Sequence, residues 1–275
     1  MSEIEEELIE TNGIKLHTII IGTGEPLILL HGFPEFWYCW SKVISLLKDD
    51  FKLVIPDMRG YNLSDKPVGV ENYKVEILIE DIKGLSESLK LGRFNLAGHD
   101  WGGAVAWVLA EKYPELLKKL IILNAPHHKI FQNLLRTNKE QQEASNYMRE
   151  FLKPNSEKFL IENDYKALRE AVFTKSFTDF DKEKYIEAWS QPGAIMGGVN
   201  YYRAIKSFNE WKGIIETPTL VLWGMNDIAL RPQLLEGLSD YVKDLRIERN
   251  EESSHWITHD APEFVSSKIR EFIQS

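Results

Sequence analysis

The chain has 275 residues, of which 43% are hydrophobic and 27% charged, and a formal net charge of −9. That length suits one large α/β domain, or a core with one inserted subdomain, and the apolar share can fill a sizeable interior. The acidic balance argues against nucleic acid or an anionic membrane as the main partner, no apolar run approaches the roughly 18 residues of a membrane span, and the single cysteine, Cys39, excludes an internal disulfide and suits a reducing, cytoplasmic setting.

The N-terminal segment MSEIEEELIE is acidic and lacks the basic start and apolar centre of a secretory signal. IKLHTIII (14–21) and PLILL (26–30) are expected to be strands joined by a turn at Gly22-Thr23-Gly24. Cys39 follows within an aromatic run, where a buried, inert thiol is expected. FKLVIP (51–56) is another short apolar strand. Residues 72–90 carry Val75, Leu78, Ile79, Ile82, Leu85 and Leu89 at helical spacing. FNLAG (94–98) returns to strand, AVAWVLAEKY (104–113) to helix and LKKLIILNA (117–125) to strand. This alternation predicts a mostly parallel sheet covered by helices on both faces. From 127 to 212 there is no buried-strand pattern, only charged helical stretches such as DYKALREAVF and DKEKYIEAW. TPTLVLWG (217–224) resumes the β signal, and a last helix is expected over 262–273. The expected organisation is a core of 1–126 and 213–275, interrupted by a helical insert at 127–212.

Gly98-His99-Asp100-Trp101-Gly102, between a strand and a helix, has the frame of a G-x-S-x-G nucleophile elbow, with aspartate where serine would stand. Small residues let the chain turn sharply there, and the following helix N-terminus favours negative charge. An N-capping aspartate would explain Asp100 alone. It would not explain the further residues in the expected order nucleophile, acid, histidine: Asp227 follows the strand LVLWG, and His255 lies before the last helix. His259 is expected at the surface or as a cap, Glu251 and Glu252 as solvated charges, and His99 as a packed structural histidine. His127 and His128 open the insert, where either could line a cleft or simply pack. His31-Gly32-Phe33-Pro34 ends the strand PLILL, which nominates the backbone N–H groups of Phe33 and Trp101 as an oxyanion hole.

HGFPEFWYCW (31–40), DMRGYNLSDKP (57–67), GHDWGG (98–103) and SQPGAIMGGVNYYR (190–203) together resemble the α/β-hydrolase-fold epoxide hydrolases, over nearly the whole chain. The resemblance implies an α/β-hydrolase fold, with the insert as a helical cap that holds two tyrosines over the nucleophile. Tyr202, in Asn200-Tyr201-Tyr202-Arg203, matches one position. Tyr147, in ASNYMREF, is the second choice, with Tyr201 and Tyr165 as rivals. Tyr38 is expected as an aromatic wall.

An aspartate is ionised at neutral pH without help from a base, so it can attack a saturated carbon directly and form an alkyl ester. The histidine is then free to activate water against that ester, with Asp227 orienting it. Opening an epoxide also leaves an alkoxide that needs a donor, a role suited to the phenols of Tyr147 and Tyr202. The expectation is an epoxide hydrolase without cofactor or metal, acting on a small-molecule epoxide as a monomer or homodimer. A haloalkane dehalogenase would use the same Asp100 and His255, with Trp101 as a halide donor, but such enzymes usually carry Asn where this chain has Phe33. A fluoroacetate-type dehalogenase would place arginine at Trp101. A non-catalytic ligand receptor on the same fold is the alternative from another class.

Overall fold

The computed structural model of the chain describes residues 4–275. Its sheet has eight strands: β1 (Glu5–Thr11), β2 (Ile14–Ile21), β3 (Glu25–Leu30), β4 (Phe51–Pro56), β5 (Phe94–His99), β6 (Leu117–Leu123), β7 (Thr219–Gly224) and β8 (Leu245–Asn250). They are ordered β1-β2-β4-β3-β5-β6-β7-β8. The two pairings that involve β2 are antiparallel and all others are parallel. The architecture is an α/β-hydrolase fold. Strands β3 to β7 bury nearly every side chain because helices cover both faces, which is why their sequences read as apolar runs rather than alternations.

Helices α1 (Ser41–Leu47), α2 (Val75–Ser88), α3 (Trp101–Lys112) and α11 (Pro262–Gln274) pack around the sheet. In α2, Leu78, Ile79, Ile82 and Leu85 form the buried stripe that the spacing predicts. α3 is apolar all round and buried on almost every side, as a central helix must be. It begins three residues earlier than the apolar pattern suggests, directly after Asp100. Proline at the first position of α11 sets its start, where no backbone donor is lost.

The chain order reverses between β3 and β5. These strands are neighbours, with Leu30 beside Gly98, while the connection from β3 runs to β4 and that from β5 runs to β6 on the other side. A crevice at the C-terminal ends of the strands is expected at such a switch point. Every described element between β6 and β7 is helical: α4 (His128–Thr137), α5 (Lys139–Ala144), α6 (Asn146–Phe151), α7 (Ser156–Val172), α8 (Asp179–Trp189), α9 (Ala194–Arg203) and a 3-10 turn at Ile205–Glu210. A capping box starts α8, where Thr178 accepts from the Asp181 N–H and Asp181 accepts from the Thr178 N–H at 2.8 Å.

Three features depart from the sequence expectation. The acidic N-terminus forms β1, apart from residues 1–3, which lie outside the described part. β1 and β8 escape the apolar-run pattern because they are the two edge strands, largely exposed or half-buried. The stretch DYKALREAVF is not one continuous helix: α7 breaks at Glu162–Tyr165, where Asn163, Asp164 and Tyr165 take positive φ, and helical geometry resumes after it. No described helix is long and apolar enough to cross a membrane.

Candidate active site

Asp100 sits on the turn between β5 and α3 with φ 49° and ψ −118°, a conformation that lifts its side chain above the end of the sheet. The turn is possible because its neighbours are small. A Cβ on Gly32 would lie 2.4 Å from both Cβ and Oδ1 of Asp100, and one on Gly102 would lie 2.6 Å from the carbonyl oxygens of Leu30 and His31. Gly32 therefore lets the loop after β3 close on Asp100. The next N–H in that loop, Phe33, donates to Asp100 Oδ1 at 2.8 Å. The Trp101 N–H opens α3, and no hydrogen bond joins it to the Asp100 carboxylate in this resting geometry.

The loop after β8 brings His255 to the opposite side of the carboxylate. Its Nε2 lies 3.7 Å from Asp100 Oδ2, and its Nδ1 lies 2.6 Å from Asp227 Oδ2. Asp227 is buried and fully engaged. The N–H groups of Ala229 and Leu230 both donate to Oδ1 at 2.8 Å, and the Asn124 side chain donates to Oδ2 at 2.8 Å. Burial pushes the Asp227 carboxyl up, but the His255 charge and these hydrogen bonds outweigh it and hold it below the usual range. For His255, burial works against the imidazolium, yet the charges of Asp227, Asp100 and Glu35, with the Asp227 hydrogen bond, raise it to about 9.

Above Asp100 lies a largely apolar cavity of about 230 Å³. Tyr147 from α6 and Tyr202 from α9 line it together with Asp100, and their rings meet edge to face at 6.0 Å. Tyr202 is also wedged between Phe33 at 5.5 Å and Trp101 at 4.9 Å. Burial pushes both phenols upward, and the Asp100 charge adds to it, so both are protonated donors at neutral pH. The rivals point elsewhere. Tyr201 donates to the Arg59 carbonyl at 2.8 Å, and Tyr165 sits at the α7 break against Trp189 at 5.8 Å.

The alpha/beta hydrolase fold family model matches residues 25–262. Epoxide hydrolase 4 of Mus musculus is 38% identical over 280 residues, which cover 97% of this chain and 78% of that protein. The chain belongs to the α/β-hydrolase-fold epoxide hydrolase family. The AB hydrolase superfamily protein YfhM of Bacillus subtilis (strain 168) is also 38% identical, over the full length of both chains. The crystal structure of Bacillus megaterium epoxide hydrolase in complex with an inhibitor superposes with a TM-score of 0.93 at 35% identity, covering 98% of this chain and all of that one.

Around the site of this epoxide hydrolase family member, His99 is fully buried and engaged at both nitrogens, Nδ1 with Glu35 Oε2 at 2.6 Å and Nε2 with the His255 carbonyl at 2.9 Å. Cys39 is buried, and burial with the nearby Glu35 charge pushes its thiol well up. One expectation needs correction. His259 is not at the surface: it stacks on Phe177 at 4.0 Å, and its Nε2 meets the Tyr185 hydroxyl at 2.8 Å. It lies on the short helix α10 (Ile257–Asp260), whose inner face packs under the insert. Tyr38 is an aromatic wall, but not of the cavity: it stacks on Phe36 at 5.8 Å, and its hydroxyl donates to Asp181 of α8 at 2.8 Å. Sequence reasoning also missed Asn124 and Glu35. Asn124 carries one available signal, an asparagine directly after a strand; it takes positive φ there and so turns its amide onto Asp227.

Proposed function

We propose that this protein hydrolyses epoxides to vicinal diols through an alkyl ester on Asp100, with 1–126 and 213–275 as the catalytic core and 127–212 as the cap. The observation that carries this reading is the convergence on one apolar cavity of a carboxylate backed by His255 and the phenols of buried Tyr202 and half-buried Tyr147. Oδ1 of Asp100 is engaged by the Phe33 N–H, so Oδ2 is the oxygen free to attack. It forms a bond to an epoxide carbon as that carbon's bond to the ring oxygen breaks, and a phenol of Tyr147 or Tyr202 protonates the departing oxygen. His255 then takes a proton from water, which attacks Cγ of the ester. Negative charge develops on Oδ1 at the Phe33 N–H, with the Trp101 N–H as the second donor. Collapse breaks the Cγ–Oδ2 bond and frees the diol. The water's oxygen stays on Asp100, and its two protons replace those that His255 and the tyrosine pair delivered to the diol.

Esterification also explains how a histidine protonated at rest can become a base: His255 gives its resting proton to the tyrosinate left by ring opening, and the proton left on Asp100 by the water restores it at the end of the cycle. Asp100 loses its charge when alkylated, and one of the causes holding His255 up disappears. Buried Asp227 remains, which keeps the Nδ1–H oriented and stabilises the imidazolium formed later. A small-molecule epoxide is the substrate, with the protein a monomer or homodimer in the cytoplasm.

A panel of epoxides and chloroalkanes, assayed with wild type and Asp100→Ala, tests this reading. Wild type is expected to release diols from epoxides, Asp100→Ala is expected to be at background, and halide release is expected to be negligible. Halide release without diol formation would replace the reading with a dehalogenase.

A further inference from the structure

Gln141, on α5, is fully buried, and its side-chain amide bridges the insert and the core. Its Oε1 accepts from the Arg231 N–H at 2.9 Å. Its Nε2 donates to the Ala229 carbonyl at 2.8 Å and to Ser145 Oγ at 2.8 Å. A backbone N–H can only donate and a carbonyl can only accept, so the two core partners fix which way the amide faces. Both donors and the acceptor of this buried group are satisfied across segments about ninety residues apart in sequence.

Each end of the bridge leads to a residue of the site. On the core side, Ala229 and Arg231 belong to the turn that holds Asp227. The N–H groups of Ala229 and Leu230 donate to Asp227 Oδ1 at 2.8 Å, and Leu230 lines the cavity. This end is also fixed from within the core, because Asn124 and His255 bind Asp227 Oδ2. On the insert side, Ser145 is buried at the N-cap of α6, two residues before Tyr147. The Tyr147 ring packs edge to face on Phe151 at 5.5 Å and on Tyr202 at 6.0 Å. Such ring contacts leave the ring free to slide, whereas hydrogen bonds fix a distance and an angle.

Resting on the epoxide reading above, we propose that Gln141 is a positioning residue for ring opening: it ties the start of α6 to the Asp227 turn and so sets the Tyr147 hydroxyl over Asp100. Ester formation then depends on Gln141. Ester hydrolysis does not, because His255 and Asp227 are held from within the core.

The test measures single-turnover rates of ester formation and ester hydrolysis with one terminal epoxide. The proteins are wild type, Gln141→Met, Ser145→Ala, Tyr147→Phe and the double variant Gln141→Met/Tyr147→Phe. Gln141→Met is expected to slow ester formation about tenfold or more, the scale of a displaced reacting group, and to leave hydrolysis little changed. Ser145→Ala keeps the bonds to the core and should slow the same step less. With Tyr147→Phe already present, Gln141→Met should slow ester formation little further, because the group it positions is gone. Unchanged ester formation in Gln141→Met, equal slowing of both steps, or fully additive effects in the double variant overturns the positioning role and leaves the epoxide reading intact. If Gln141→Met does not fold, Ser145→Ala and its double variant with Tyr147→Phe decide by the same three criteria. Failure of wild type to open the epoxide overturns both.

Discussion

At the scale of single residues, the proposed mechanism assigns separate tasks to the two oxygens of Asp100. Oδ1 is anchored by the Phe33 N–H, and Oδ2 faces His255. Because His255 is raised to about 9 at rest by Asp227 and Asp100, only the second step of the proposed scheme depends on its titration. In single-turnover experiments, ester formation should vary little between pH 6 and 8. Ester hydrolysis should fall as pH drops through the pKa that His255 has in the ester, which lies below 9 because the Asp100 charge has gone. An apparent pKa of 9 or above for the hydrolysis step would contradict this. In the proposed mechanism the tyrosines act in the first step. Tyr147→Phe and Tyr202→Phe should each slow ester formation, and the double variant should lose about 10²-fold or more in kcat/KM, the scale of a lost general acid. Full turnover by the double variant would remove the donor role. Tyr202 was readable from its motif. That Tyr201 next to it points to Arg59 was not, because a one-residue rotation on a helix is decided by how α9 seats on the core.

At the scale of elements, the loops after β3 and β8 and the end of β5 are tied together behind Asp100 by Glu35 and His99. The Glu35 carboxylate meets His99 at 2.6 Å and accepts from Tyr185 of α8 at 3.2 Å. Burial pushes this carboxyl up, but the His99 charge and hydrogen bond outweigh that and hold it at about 2. Glu35→Ala strands the His99 Nδ1 and weakens the tie to Tyr185, and each buried group left unpaired costs roughly 1–3 kcal/mol. A loss on the order of 3 kcal/mol in urea unfolding is expected, and a loss below about 1 kcal/mol would show that the network contributes little. Local pattern identified the buried strands and α2, because a helix or strand that faces the core must repeat its apolar residues with its own period. It failed at β1 and β8, where the edges of the sheet tolerate charge, and at His259, whose burial depends on an insert distant in sequence. The Glu35 network has no sequence signature, since its members stand at positions 35, 99, 185 and 259 and meet only when the sheet, the insert and α10 are assembled.

At the scale of the whole molecule, the strand order does the positioning. Placing β3 beside β5 at the reversal of chain order brings the Phe33 N–H and Asp100 to one crevice, β7 and the loop after β8 deliver Asp227 and His255, and the segment between β6 and β7 covers them with Tyr147 and Tyr202. Alternating strands and helices made the sheet legible, and a long gap without strands made the insert legible. The shape and lining of the cavity were not, because they depend on the angles at which six short helices pack. The most direct measurement is intact-mass analysis of His255→Gln mixed with a terminal epoxide. The variant should gain one substrate mass, mapped by peptide digestion to Asp100, with no such gain in His255→Gln/Asp100→Ala. If diol forms at an undiminished rate with no adduct at Asp100, water attacks the epoxide directly and the covalent account is wrong.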